Sequence, residues 1–199
     1  VLFRSVFVHK PTEDQIKYLI DFCKDHYSID LEIDKEYKYL VLSDRKKNYF
    51  GVKTDGSLDI KGLSGKKSNT PPFVKRLFND VLEKIKPIES MSDFYEVKQE
   101  VRYVIKTVID NFDTIPLDQL SFKVMISKEP SEYKTKPQAV KAGEQLGDVQ
   151  KGQFVEFVKT WKEPKVCPLS MATHSDIDKQ KYMESLESVM SQVCEPMKI

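Results

Sequence analysis

Apolar residues recur along this chain at two different periods, and the places where the period changes divide it. Over residues 12–27, TEDQIKYLIDFCKDHY, Ile16, Leu19, Ile20 and Cys23 fall at helical spacing on one side. Thr12 stands in the position of a side-chain cap and acidic residues follow it, so a helix is predicted from there. Just before it, SVFVHK (5–10) is a short β-branched and aromatic run ended by Pro11, the pattern of a strand. Residues 31–62, LEIDKEYKYLVLSDRKKNYFGVKTDGSLDIKG, alternate and are rich in Ile, Leu, Val, Tyr and Phe, with a turn signal at Thr54-Asp55-Gly56. Strands are predicted here, including an antiparallel pair. Extended through residues 46–51, the period of two puts Lys47, Tyr49 and Gly51 on one face and Lys46, Asn48 and Phe50 on the other.

The period changes after GLSGKKSNT. Pro71-Pro72 opens FVKRLFNDVLEKI, a helical pattern for which Thr70 is a candidate cap. Residues 92–112 are helical again, with Ser92 as the expected cap and Phe94, Val97, Val101, Val104, Ile105 and Val108 along one side. SFKVMISK (121–128) fits a strand or a short buried segment, QAVKAGEQL a helix and QFVEFVKT a strand. In the closing helix, IDKQKYMESLESVMSQV, Tyr182, Leu186 and Val189/Met190 make one face. Strands followed by a mainly helical part define an α+β chain.

Composition narrows the classes. With 199 residues and 40% hydrophobic content the chain is long enough to bury a core. No apolar run approaches the roughly 18 residues a membrane span requires. The segment VLFRSVFVHK lacks the apolar length and cleavage site of a secretory signal, so an intracellular, cytoplasmic setting with the chromosome is the expectation that goes with the reading below. Cys23, Cys167 and Cys194 are an odd number and far apart, which points to free thiols rather than a disulfide framework or zinc site.

The formal net charge is only +1, but it is unevenly spread. Residues 1–43 hold six Lys/Arg against eight Asp/Glu, whereas residues 44–76 hold nine against three. Such a local excess suits a polyanion, although a solvated lysine face or an edge strand protected by lysines would produce it too. No catalytic constellation is apparent. His9, His26 and His174 lie near no recognisable nucleophile or ligand set, and Glu32 with Asp34 are read as solvated carboxylates. The lysines of KKNYFGVKTDGSLDIKG and KKSNTPPFVKR can reach phosphates as point charges, with a tyrosine between them to pack on a sugar.

Lys46-Lys47-Asn48-Tyr49-Phe50-Gly51 followed by Asp59-Ile60-Lys61-Gly62 resembles the signature of family B DNA polymerases, Lys-Lys-Arg/Asn-Tyr and then Asp-x-Lys-Gly. Further features of the archaeal type follow in order over nearly the whole chain: NTPPFVKRLFNDVL, FKVMISKEPSEYKTKPQAVKAG, QFVEFVKT and IDKQKYMESL. The chain departs from the family at Pro137-Gln138-Ala139-Val140, where a histidine usually precedes the valine. It departs again at its start. The family's catalytic strand reads Tyr-Gly-Asp-Thr-Asp-Ser; Ser5 matches the serine, and Leu2, Phe3 and Arg4 stand where Asp, Thr and Asp would be. Leu and Arg cannot ligate Mg²⁺, so VLFRS is read either as an artificial fusion remnant before an excised domain or as a natural loss in an inactive polymerase-like protein.

The resemblance implies the end of a palm over residues 1–66 and a thumb over 67–199. It implies a grip on primer–template duplex DNA through backbone and minor groove, with Lys46, Lys47, Asn48, Tyr49, Asp59, Lys61, Lys66 and Lys67 as the contacting residues. No catalytic residue and no metal ligand is assigned to this chain; Mg²⁺ is expected for the complete polymerase. The partners implied are the duplex and the remaining palm, fingers and exonuclease domains. Gln180, Met183 and Leu186 approximate a sliding-clamp peptide poorly and are read as a packing face. The rival readings are a natural non-catalytic DNA-binding or scaffold protein derived from a polymerase, and an unrelated protein-interaction domain.

Overall fold

A computed structural model describes residues 5–44, 46–67 and 69–199, with Lys66 described by its backbone only. The chain divides into two compact units, Val1–Glu36 and Tyr37–Ile199. Leu2, Phe3, Arg4 and Arg45 lie outside the described residues.

In the first unit, helix α1 (Glu13–Tyr27) begins where the sequence places it. The Thr12 hydroxyl accepts from the Gln15 amide and the Gln15 side chain accepts from the Thr12 amide, so two of the donors that a helix start leaves free are satisfied reciprocally. Ser28, left-handed, ends it. Ile16, Leu19, Ile20 and Cys23 are half-buried as their spacing requires. The run 5–10 enters no ladder among the described residues, and its Val6, Phe7 and Val8 are exposed.

Among its described residues the second unit contains two antiparallel three-stranded sheets and five α-helices. Strands β1 (Tyr37–Leu42), β2 (Tyr49–Lys53) and β3 (Leu58–Lys61) pair in chain order. Strands β4 (Phe122–Met125), β5 (Phe154–Lys159) and β6 (Val166–Pro168) make the second sheet, also in chain order. Between the sheets run α2 (Pro72–Ile85), α3 (Met91–Asp110) and the short α4 (Leu117–Leu120). The short α5 (Gln138–Gly143) separates β4 from β5, and α6 (Lys179–Met197) closes the chain.

One hydrophobic core joins these elements. Phe50 of β2, the α2 face of Phe73, Val74, Leu77, Phe78 and Val81, Phe157 of β5, and Tyr182, Leu186 and Val189 of α6 belong to it. Tyr182 is fully buried against the rings of Phe73, Phe112 and Phe122, and its hydroxyl accepts from the Lys159 amide at 2.9 Å. That bond ties the end of β5 to α6 and leaves no buried phenol oxygen unpaired.

Two caps differ from expectation. α3 starts two residues earlier, with Ser90 as cap and Asp93 reaching back to the Ser90 amide, because only Ser90 has an acidic partner three positions on. At α2 the cap position is Pro71, and Thr70 instead donates its hydroxyl to the Ser64 carbonyl at 3.0 Å. A proline at the first helical position has no N–H to satisfy, which removes part of the need for a capping side chain.

Candidate nucleic-acid interface

The first sheet has a buried face and an open face, and register decides which residue takes which. Phe50 pairs with Val41 and Ile60, and Val52 with Leu58, and these point into the core side. The alternate set, Tyr49 opposite Lys61 and Gly51 opposite Asp59, lies on the other face. Lys46 and Lys47 do not belong to the strand. They sit in the turn before it, closed by Ser43 donating from its amide and its hydroxyl to the Asn48 carbonyl, and Lys47 is left-handed with φ 64°. The alternation expected through 46–48 therefore begins only at Tyr49.

Two glycines shape this surface. Gly62, with φ 71°, lies against the turn so closely that a Cβ there would come within 2.2 Å of the Asn48 side-chain oxygen and 2.5 Å of the Lys47 carbonyl. The Lys-Lys-Asn-Tyr and Asp-x-Lys-Gly segments are thus one structure: the glycine after Lys61 lets β3 run on against the lysine turn. Gly51 plays a matching part on the sheet. A Cβ there would meet the Tyr37 ring at 2.7 Å and the Tyr39 carbonyl at 2.9 Å. Tyr37 lies across the bare strand and donates its hydroxyl to Asp59 Oδ2 at 2.6 Å.

A register shift between Tyr37 and Tyr39 sends these two tyrosines to opposite faces. Tyr37 goes outward to Asp59; Tyr39 goes inward, donating to the Ile85 carbonyl at 2.5 Å at the end of α2. Burial pushes the Tyr37 phenol well above its usual range, and the Asp59 carboxylate, both as hydrogen-bond acceptor and as nearby negative charge, adds to it. Burial raises Tyr39 to about 12.

Lys46, Lys47 and Lys61 are exposed and make no ion pair among the described residues. Asn48, Tyr49 and Asp59 lie beside them, and Tyr37, not singled out by sequence, lies on the same face as Tyr49 and Asp59 and is bonded to Asp59. Lys66 and Lys67 stand apart. Lys66 ends the 3₁₀ turn Ser64–Lys66, its side chain outside the described residues, and exposed Lys67 follows it. Lys67 lines a separate pocket with Lys159, Lys181 and Glu184, none of which the sequence marks. No group of three or more His, Cys, Asp or Glu that could hold a metal occurs among the described residues. The three cysteines are free thiols, and no described helix is long and apolar enough to cross a membrane.

A three-stranded sheet with a lysine turn, joined by one core to a helical part with a second sheet, is an α+β arrangement that comparison with known proteins identifies. Residues 15–196 match the model of DNA polymerase family B, and the chain belongs to that family. It is 39% identical over 196 residues to DNA polymerase 1 of Sulfolobus acidocaldarius and to DNA polymerase 1 of Saccharolobus solfataricus, covering 95% of this chain and 22% of each relative. The structure of the family B DNA polymerase from the hyperthermophilic archaeon Pyrobaculum calidifontis superposes with a TM-score of 0.67 at 22% identity, over 92% of this chain and 25% of that one, and so shares the fold. The chain spans about a fifth of the length of these curated relatives.

Proposed function

We propose that this chain is the part of a DNA-directed DNA polymerase that grips the primer–template duplex by its backbone and minor groove, as a palm end over residues 1–66 and a thumb over 67–199. The observation that carries the reading is the pair Lys46 and Lys47, exposed and without an ion-pair partner among the described residues, on a turn against which Gly62 packs, beside Tyr49 and Lys61. A solubilising lysine needs no such scaffold. Lysines and a tyrosine fixed in this way hold phosphates and sugars without reading bases, which suits an enzyme that must copy any sequence. Asn48, Asp59, Lys66 and Lys67 complete the proposed contact set.

The chemistry itself belongs to residues outside this chain. Mg²⁺ would supply charge neutralisation and nucleophile activation in the whole polymerase, held by carboxylates of the remaining palm, with the fingers and exonuclease domains as the other partners. The 199-residue chain alone is expected not to extend a primer. A duplex titration by anisotropy at several salt concentrations tests the grip. The logarithm of affinity should fall linearly with the logarithm of salt, and Lys47→Ala should lower the slope by about one. Duplex binding that is absent at low salt, or undiminished in the Lys46→Ala/Lys47→Ala double variant, would sink the assignment.

A further inference from the structure

We infer that the chain carries a second anion site, separate from the sheet surface: an open pocket where Lys67, Lys159 and Lys181 converge to bind a phosphate group. The pocket has a volume of about 380 Å³, at the lower end of the roughly 300–1,000 Å³ typical of small-ligand sites. Its walls come from three distant parts of the chain: the turn after β3, the β4–β5 edge, and the outer face of α6. The Ser64 amide donates to the Gln192 side-chain oxygen at 2.8 Å, and the Gln192 side-chain nitrogen donates to the Ser188 carbonyl at 2.5 Å. Gln192 is buried, so the turn and the helix are pinned together and the space between them is built into the fold.

The charges in this space are unusual. Lys159 is half-buried, its ammonium 4.8 Å from the centre of the Phe122 ring, with no ion-pair partner among the described residues. Burial, and then the like charge of Lys181, lower its pKa. A cation placed against another cation and partly out of water is costly unless an anion joins them. The nearby charges of Glu184 and Asp178 offset this only in part, and Glu184 is itself paired with Lys181 at 2.8 Å and bonded by the Gln180 side-chain amide at 3.4 Å. Three lysines against this one carboxylate leave the lining with a net charge of +2 when all are ionised. Thr70, Ser185 and Ser188 line the same space.

A compact oxyanion of about two charges matches this set. A nucleobase does not, since Phe122, the only aromatic ring lining the pocket among the described residues, lies beneath the Lys159 ammonium and against the Phe157 ring. The phosphate has two available sources: the backbone of a bound nucleic acid, or a free phosphate compound such as pyrophosphate. The site shares Lys67 with the proposed duplex contact set but does not depend on the reading of Lys46, Lys47, Tyr49 and Lys61.

The test titrates the 199-residue chain with inorganic pyrophosphate at low salt, followed by calorimetry and by NMR of the lysine side chains. Saturable one-to-one binding is expected, with shifts centred on Lys159 and Lys181. Lys159→Gln should weaken it by at least about tenfold, the loss of a charge-assisted hydrogen bond. Lys67→Gln, at an exposed position where the unfolding midpoint should not move, should weaken it as well. No saturation up to about 10 mM, or parental affinity in both variants, overturns the site. A second arm with duplex DNA separates the sources. If Lys159→Gln also lowers the salt slope of duplex binding by about one, the phosphate belongs to a nucleic-acid backbone. If duplex binding is unchanged while pyrophosphate binding is lost, the ligand is a free phosphate compound. The Lys46→Ala/Lys47→Ala variant should keep its pyrophosphate affinity, so a failure of the sheet reading shows up in the duplex arm alone.

Discussion

The two sheets of the larger unit share a topology and a core, yet one pairs charges across its ladder where the other sets a lysine turn beside it. On the second sheet Lys123 stands directly opposite Glu156 and pairs with it at 2.8 Å, while Phe154 and Met125 lie exposed beside them. On the first sheet Tyr49 stands opposite Lys61, Gly51 opposite Asp59, and Lys46 and Lys47 extend from the adjoining turn with no ion-pair partner among the described residues. The second sheet shows how a strand pair ordinarily satisfies its solvent side, with opposite charges across the ladder. The first also pairs Lys38 with Glu89 at 3.1 Å and Lys53 with Asp55 at 3.4 Å, but Lys61 and the turn's Lys46 and Lys47 have no ion-pair partner among the described residues, and Gly62 packs against the turn that carries them. The turn is held by close approach rather than by charge pairing, which is what the proposed binding surface requires.

The largest effect should come from filling those close approaches. Gly62→Ala adds a methyl group where both the left-handed backbone and the Lys47–Asn48 turn exclude it, and should cost about 3 kcal/mol in chemical denaturation. Gly51→Ala should cost about 1–3 kcal/mol, since the Tyr39 carbonyl cannot move aside as a side chain can. Gly56→Ala is the control. Its φ of 80° is strained for alanine, but nothing lies within 4 Å of the added atom, so about 1 kcal/mol is expected. Equal losses at Gly62 and Gly56 would mean that packing against the lysine turn counts for nothing.

Alkaline titration sharpens the comparison further. Burial raises the phenols of Tyr37, Tyr39 and Tyr182, with the Asp59 bond adding at Tyr37. An unfolded tyrosine titrates near pH 10, and a raised folded-state pKa means that the fold favours the neutral phenol. This contribution is intact below about pH 10 and is lost as pH rises beyond it, through about 12 at Tyr39. The urea midpoint should therefore fall over that range. Tyr37→Phe should flatten the fall through the first sheet and Tyr182→Phe through the second, and a slope unchanged by either would remove these phenols from the account.

How far the sequence discloses this architecture depends on the range of the interactions involved. The helices are legible because their periodicity is local, and α1 even in its cap; α3 is displaced only because two serines stand near its start. The lysine cluster is legible as composition and as a family signature. Its support is not. The register shift beside Lys38 leaves no mark in the alternation, so nothing local separates Tyr37 from Tyr39 or places the former over Gly51. β6 has three residues, too few to show a period. The phosphate pocket depends on a contact between Ser64 and Gln192, 128 residues apart, and its only local trace is a lysine ending the apolar strand QFVEFVKT.

The smallest effect is the one that most cleanly separates the two sheets. Lys123→Ala removes an exposed ion pair, worth about 0.2–1 kcal/mol because solvent screens both groups and ordering two long side chains costs entropy. Lys47→Ala removes no ion pair among the described residues and should leave the denaturation midpoint almost unmoved. Duplex binding should reverse the order: Lys47→Ala lowers the salt slope by about one, whereas Lys123→Ala leaves both slope and affinity as they are. The two variants remove the same charge from the same net total, so a general electrostatic attraction would respond equally to both. Equal slopes would show that the protein's overall charge, rather than the fixed turn, draws the duplex, and the distinction between the sheets would lose its functional meaning.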